Sequence, residues 1–599
     1  MGVGSSRKRP EGGEAARQPV ERRGKIRLSR LSICGVFAVA PSLCWAQSVA
    51  RSVSPALQDV CPRGREGGVV TEPKDLRAKN DVLRVSLKIL NSPDEYGHML
   101  YCYVDQQGNE APTLRVKPED TLILTLTNEM SESLPAAASS QKRMKNAGRK
   151  HDPCTGGPMS SVSTNLHFHG LAVPPVCHQD ETLKTLIEPG DGAFEYRIQI
   201  PKSQPPGLYW YHPHVHGFSE KQVLGGASGA LIVEGIEHAV PRVAGLPERV
   251  LVIRDENMPD TSATDRPDPN KPTKQLSINY TPVPYPNYPL PVIKMKPLER
   301  QFWRVLNASA DTYLDLGIEF DGKRQDFDLV ALDGVPLHYG EPDAETHASR
   351  QTHIFLPPAG RAEFVISGPP PGVSGRLLTY HVYRGAEDDD GKPMVSGSNS
   401  PSGLRVGQDD VDSARPLASI IISADANCPT VQPIPASLEH PPLALSGVRP
   451  VRKRKLYFSE KLANPIDPKS ATLFFITEEG HSPAVFDPTN TEPTITVHHG
   501  DVEDWTIQNR SLESHTFHIH QLHFIVVGGR EVQSAEPTIS TLRDTVNVPA
   551  WMGFGPFPSV TIRMDFRDPQ IVGTFPFHCH IMQHVDGGMM GTVRLEPAP

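Results

Sequence analysis

His578-Cys579-His580-Ile581-Met582-Gln583-His584-Val585-Asp586-Gly587-Gly588-Met589 gathers thiolate, imidazole and thioether donors within one short run. Cys579, His584 and Met589 are the soft donor set of an electron-transfer copper whose weak axial ligand is a methionine. A period of two decides what the flanking histidines do. In a strand, alternate side chains leave on opposite faces, so His578 and His580 point away from the site that Cys579 serves. They belong to a second site behind it.

Three further clusters indicate what that site is: His167-Phe168-His169, His212-Pro213-His214 and His515-Thr516-Phe517-His518-Ile519-His520. Within each His-x-His pair both imidazoles face one way, so four pairs can enclose a group of metal ions. An isolated pair is ordinarily a surface or core feature. Four of them, one wrapped around a cysteine, are not accounted for in that way.

The order and spacing of these motifs, HxH, HxH, HxxHxH and HCHxxxHxxxxM, resemble the four signatures of the multicopper oxidases at both copper-bearing ends of the chain. Carried over position by position, the resemblance implies that His515, Cys579 and His584 bind a type 1 copper, with Met589 axial. It implies that His167 and His518 bind a type 2 copper, and that His169, His212, His214, His520, His578 and His580 bind a type 3 pair. Four copper ions per chain follow, with dioxygen as acceptor and a small reducing substrate as donor. The Cys579 thiolate is covalently continuous with His578 and His580. That short path between the two sites is a feature an ordinary metal hydrolase would not need.

Internal repetition gives the domain organisation independently. Val116, Asp120 and Asn128 stand at intervals of four and eight, and Met295, Glu299 and Asn307 repeat them, as do Val497, Asp501 and Asn509. Arg197, Gly207, His212 and His214 match Arg563, Gly573, His578 and His580 at identical offsets. The reading is of three domains, 47–240, 241–430 and 431–599, after a leader at 1–46. The middle domain has no His-x-His pair, although Arg361-Ala362-Glu363-Phe364-Val365-Ile366 reads like the strand before one. It is expected to be a copper-free spacer that holds the outer domains in register and walls the substrate face. The 599 residues are too many for one core, and 48 Gly and 60 Pro punctuate short alternating runs such as 121–127 and 194–200. With no long amphipathic helical pattern, the expected class is all-β: three consecutive Greek-key β-sandwich domains, which the resemblance makes cupredoxin-like.

Basic residues up to Arg30, an apolar stretch at 31–40 and the small-residue pattern Cys44-Trp45-Ala46 read as an export signal, giving a periplasmic or secreted protein. Arg22-Arg23 fits a twin-arginine signal poorly, and a plain basic n-region is preferred. Its removal shifts the formal charge from -9 to about -15, which argues against a nucleic-acid partner. No later apolar run is long enough to span a bilayer. Of the 8 cysteines, Cys34 and Cys44 leave with the signal and Cys579 is taken by copper. Among Cys61, Cys102, Cys154, Cys177 and Cys428 some should pair in an oxidising compartment. Cys154 with Cys177 is the first choice, because they bracket the first histidine motif.

Each electron reaching the cluster needs a proton, and a buried carboxylate is the economical relay. Asp180 is the candidate, eleven residues after His169, where related oxidases often place an acid. Many bacterial relatives carry another acid directly after the last type 1 histidine. Here Val585 takes that place, so Asp586 becomes the candidate for the second donor, with a solvent-facing carboxylate as the competing reading. His178 is read as a hydrogen-bonding neighbour behind a ligand, and His216, His498, His499 and His523 as structural. Electron donors should approach an exposed edge of His515 or His584. The 13 methionines form no cluster of the kind carried by cuprous-ion oxidases, which favours a laccase-like enzyme for phenols or aromatic amines over a cuprous-ion oxidase in copper tolerance. A nitrite reductase would not need four histidine pairs, and a non-enzymatic envelope scaffold would have lost ligands. The polar stretches 131–151 and 387–412 read as solvated insertions. The oligomeric state is open.

Overall fold

Alternation along single strands separates core from solvent. In Val82–Pro93, Leu83, Val85, Leu87 and Ile89 are buried while Arg84 and Lys88 lie outside. Ala193–Gln199 buries Phe194, Tyr196 and Ile198 between exposed neighbours. Each fully buried side chain of this size contributes about 1.5–3 kcal/mol. The computed structural model describes residues 60–598, apart from 133–150, 259–271, 340–347, 386–410, 432, 435–444, 446, 468–469 and 532–540. The stretch read as an export signal and most of the two polar stretches therefore lie outside the described residues. Among those described, no helix is long and apolar enough to cross a membrane.

The chain is all-β and builds three sandwiches in succession. The first sets a sheet containing Thr113–Val116, Gly229–Val233, Gly207–His212 and His167–His169 against one containing Met99–Asp105, Val82–Pro93, Thr121–Asn128 and Ala193–Gln199. The third repeats this layout, with Ile495–His498, Met590–Glu596, Gly573–Cys579 and His515–Ile519 facing Thr472–Glu478, Arg452–Leu462, Val502–Asn509 and Ser559–Asp565. The middle sandwich uses strands between Glu248 and Ile422. Each has its own hydrophobic core. A further apolar cluster joins Leu208, Trp210, Ala230 and Ile232 of the first to Val250, Val252 and Leu306 of the second.

The sequence repeat has a physical meaning. Asp120, Glu299 and Asp501 sit in equivalent turns, where each side chain accepts from the N–H three residues back. Asn128, Asn307 and Asn509 end equivalent strands. Each asparagine accepts from the N–H two residues on. Each also donates its amide to carbonyls of separate loops, such as Val162 and Ile187 for Asn128 or Thr312 and Leu356 for Asn307. One buried amide thus ties together two segments that are separate in the chain.

Strand register extends the second echo to the middle domain. Arg361–Ser367 pairs with Arg300–Asn307 as Ala193–Gln199 pairs with Thr121–Asn128, and the next strand opens on Gly375, at the offset of Gly207 and Gly573. Tyr380 and Val382 then occupy the positions of the two histidines. The scaffold is present and the ligands are not.

Candidate metal centre

Parity decides where each imidazole goes. Phe517, Ile519, Phe577 and Cys579 face the core of the third sandwich, so His518, His520, His578 and His580 leave on the other side. In the first sandwich Phe168, Tyr209 and Tyr211 face the core, and His167, His169 and His212 leave outward. Pairing sets His167 opposite His212 and His518 opposite His578. Two separate sites result.

The first lies inside the third sandwich. The Nδ1 atoms of His515 and His584 stand 3.6 and 3.5 Å from Cys579 Sγ and 3.1 Å from each other. His584 comes from the short helix Met582–Asp586. The carbonyl of Met589 accepts from the Cys579 N–H at 3.1 Å, and its side chain is buried in the same core. Burial alone would raise the Cys579 thiol, but hydrogen bonds from His515 and His584 bring it down to about 6.

The second site lies between the first and third sandwiches. His214 and His520 bring Nε2 to 3.1 and 3.2 Å from Nε2 of His578. Ligand atoms of His169, His212 and His580 fall within 4.8 Å of one another, and so do those of His167, His169 and His518. Burial, then neighbouring imidazoles, holds His169, His212, His214, His520 and His580 well below the ordinary histidine range. Burial likewise brings His578 to about 4.

Partners fix which nitrogen is bare. Nδ1 of His212, His518 and His578 lies 2.8–2.9 Å from the carbonyls of Pro213, Asp544 and Cys579, and Nδ1 of His167 lies 3.0 Å from Asp180 Oδ1. Those nitrogens carry the proton and Nε2 is left as a lone pair. His169 is reversed: Nε2 lies 3.2 Å from Asp544 Oδ1 and Nδ1 has no partner. His167 Nε2, His212 Nε2, His518 Nε2 and both nitrogens of His580 are also buried without hydrogen-bond partners. Lone pairs converging in a buried site suit cations, and a cysteine sulfur with two imidazoles suits copper. The residues fit the metal that the motifs imply.

Carboxylates surround both sites. Asp180 is buried, accepts from the Phe168 N–H at 2.9 Å and from Gln521 Nε2 at 2.5 Å, and stands behind His167. The outer nitrogens of the cysteine site are also occupied. His515 Nε2 lies 2.6 Å from Ser511 Oγ and 2.9 Å from Glu460 Oε1, and His584 Nε2 lies 3.0 Å from Glu513 Oε1. Burial and the adjacent Glu513 raise the Glu460 carboxyl well above its usual range, while Glu513, against its burial, is held low by His584. His515 and His584 are 0% and 2% exposed. The exposed imidazole edge expected for electron donors is therefore absent, because these acids and the surrounding loops cover it.

Asp586 does not face open solvent. Its carboxylate accepts from the N–H groups of Gly217, Ser219 and Glu220, capping the helix Ser219–Leu224 just after the second histidine motif. Burial, opposed by those three donors, raises it to about 7. His178 is exposed, stacks on Phe194 and bonds to the Glu195 carbonyl, so it backs no ligand. His216 packs edge-on against Phe486, and His499 meets the Arg567 carbonyl. His498 is exposed near Asp501 and Glu596. His523 stands 3.8 Å from Asp544. Cys154 pairs with Cys177 and Cys61 with Cys102, leaving Cys428 as a thiol.

Asp544, Arg361, Glu460, Glu513 and Gln521 were not singled out from the sequence. Their partners are distant in the chain, and none carries a motif.

A family profile described as multicopper oxidase matches residues 159–238, and a second of the same description matches 465–599. A laccase from Haloferax volcanii is 24% identical over 467 residues, 75% of this chain and 70% of that protein. A multicopper oxidase from Staphylococcus haemolyticus is 23% identical over 489 residues, 81% of each. Among solved structures, a Campylobacter jejuni multicopper oxidase described as a metallo-oxidase superposes with a TM-score of 0.58 at 22% identity, covering 89% of this chain and 96% of that one. A laccase-like multicopper oxidase from Ochrobactrum sp. gives 0.57 at 19%, covering 88% and 100%. Multicopper oxidase profiles thus match the two regions whose ligand motifs converge in space, and with the relatives they support an oxidoreductase that uses dioxygen as acceptor.

Proposed function

We propose that the chain is a laccase-like oxidase that takes single electrons from small phenols or aromatic amines at the Cys579 site and passes them to dioxygen at a three-copper cluster. The observation that carries it is Cys579, whose Sγ faces two imidazoles while its chain neighbours His578 and His580 enter the eight-histidine site. Bound copper would supply one-electron exchange at the first site and a multi-electron centre for dioxygen at the second. Four ions per chain are assigned: one type 1 at His515, Cys579, His584 and Met589, one type 2 at His167 and His518, and a type 3 pair at the remaining six imidazoles. Asp180 holds the His167 tautomer and is the proposed proton relay. Asp586, which also caps the helix Ser219–Leu224 and is raised to about 7, is the proposed second proton donor. Two disulfides support export to an oxidising compartment.

A cavity of about 370 Å³ lined by Trp551, Met552, Phe554, Pro556 and Arg530 favours an aromatic donor. It adjoins the loop that carries His515, since Trp551 N–H donates to the Ser511 carbonyl at 2.9 Å and Ala550 N–H to Ser514 Oγ at 3.2 Å. A second reading, oxidation of cuprous ion, is favoured by Glu460 and Glu513, which put carboxyl oxygens on the outer nitrogens of the same site. Oxygen uptake by copper-loaded protein with phenols, aromatic amines, bilirubin and cuprous ion separates the two. Turnover with the organic donors is expected. Turnover with cuprous ion alone would replace the first reading by the second, and fewer than four coppers per chain would overturn both.

A further inference from the structure

The middle sandwich, which carries no histidine pair, reaches the trinuclear ligands through one side chain. Arg361 is 0% exposed and spends all five of its N–H donors. Nε donates to the Leu208 carbonyl of the first sandwich at 3.2 Å. Nη1 and Nη2 donate within its own sandwich to the carbonyls of Ala359 at 3.1 Å and Asp333 at 2.8 Å. The same two nitrogens grip the Asp544 carboxylate of the third sandwich at 2.7 and 2.6 Å. Leu208 lies in the strand that ends on His212.

Asp544 in turn touches two candidate ligands with two different groups. Its Oδ1 lies 3.2 Å from His169 Nε2 and its carbonyl 2.8 Å from His518 Nδ1. A carboxylate and a carbonyl only accept, so His169 must present Nδ1 to the metals and His518 must present Nε2. The first assignment is the unusual one, since without Asp544 nothing distinguishes the two nitrogens of His169. Gly170 leaves room for the pair: a Cβ there would fall 2.6 Å from Asp544 Oδ2 and 2.9 Å from Arg361 Nη2.

We infer that Arg361 is a positioning residue for the three-copper site, fixing through Asp544 which nitrogen of His169 and of His518 faces the metals. The inference rests on the four-copper assignment proposed above. It gives the middle domain a part in the chemistry beyond spacing. A lysine would keep the charge and lose the planar fork that meets both carboxylate oxygens and three carbonyls at once.

The test uses copper-loaded wild type, Arg361→Lys and Asp544→Asn, with copper counted per chain and the type 3 pair followed by electron paramagnetic resonance, in which a coupled pair is silent. Both variants are expected to keep the blue absorption of the cysteine site. They should lose part of the cluster copper or show a new resonance from an uncoupled type 3 ion, and oxygen uptake should fall roughly 10- to 100-fold. Full copper, a silent pair and turnover within about twofold of wild type in both variants would overturn the inference while leaving the four-copper assignment standing. If wild type itself binds fewer than four ions, the assignment beneath it fails instead. Melting of the copper-free variants provides the control: if both fail to fold, the pair is a folding clamp and the positioning role is wrong.

Discussion

Cys579 and Met589 carry the sharpest expectations at the scale of single residues. Cys579→Ser should abolish blue absorption and oxidase turnover while most of the copper held by the eight-histidine site remains, which absorption spectra and metal analysis would read together. Retained blue colour would refute the ligand assignment. Met589→Leu removes a donor that stabilises the oxidised ion, so the potential of the cysteine site should rise in a redox titration. Residues of this kind were legible because strand alternation turns spacing into direction: Cys579 against His578 and His580 is a statement about faces. Asp180 was legible for a local reason, lying near His169 in the chain. Asp544 was not. It meets His169 from 375 positions away, in the bend just before the strand Thr545–Val548, where nothing in the local pattern marks it.

The strand end is the informative unit at the scale of elements. Asn307→Ala should destabilise the protein by about 1–3 kcal/mol, because it strands the buried carbonyls of Thr312 and Leu356 together with the Ser309 N–H. Denaturant unfolding of the copper-loaded protein would measure it, and a shift under about 0.5 kcal/mol, as at an ordinary surface site, would show that water replaces the amide. The sequence repeat located these asparagines without giving their purpose, which needs the loops they join. The helix Met582–Asp586 was likewise hidden, being a single turn forced by the need to return His584 to Cys579. The exposed imidazole edge was misread for a related reason. Glu460 lies in the strand Arg452–Leu462 and Glu513 in the loop before His515–Ile519, and no spacing links them to the site they cover.

Buried charge links the sandwiches at the scale of the whole molecule. Glu248 receives Arg115 at 2.7 Å from the first sandwich and Arg304 at 2.5 Å from the second, and Arg304 also meets Glu363. Burial would raise Glu248, but the guanidiniums of Arg304 and Arg115 bring it from 4.5 to about 2. Since the folded value lies below the ordinary one, the ionised carboxylate stabilises the fold above pH 4.5, and that contribution fades as the pH falls toward 2. Glu248→Gln should therefore cost roughly 3–5 kcal/mol at neutral pH. The gap to wild type should narrow in urea titrations taken progressively below pH 4.5, and a gap independent of pH would contradict the account.

The offset that brings Gly375, Tyr380 and Val382 into line with Gly207, His212 and His214 implies that catalytic capacity here is a matter of occupancy. The middle module has the register of a metal-bearing strand and carries Tyr380 and Val382 where the donors would stand. A lineage built on such modules can silence or restore a centre by changing a few side chains, with no renegotiation of architecture.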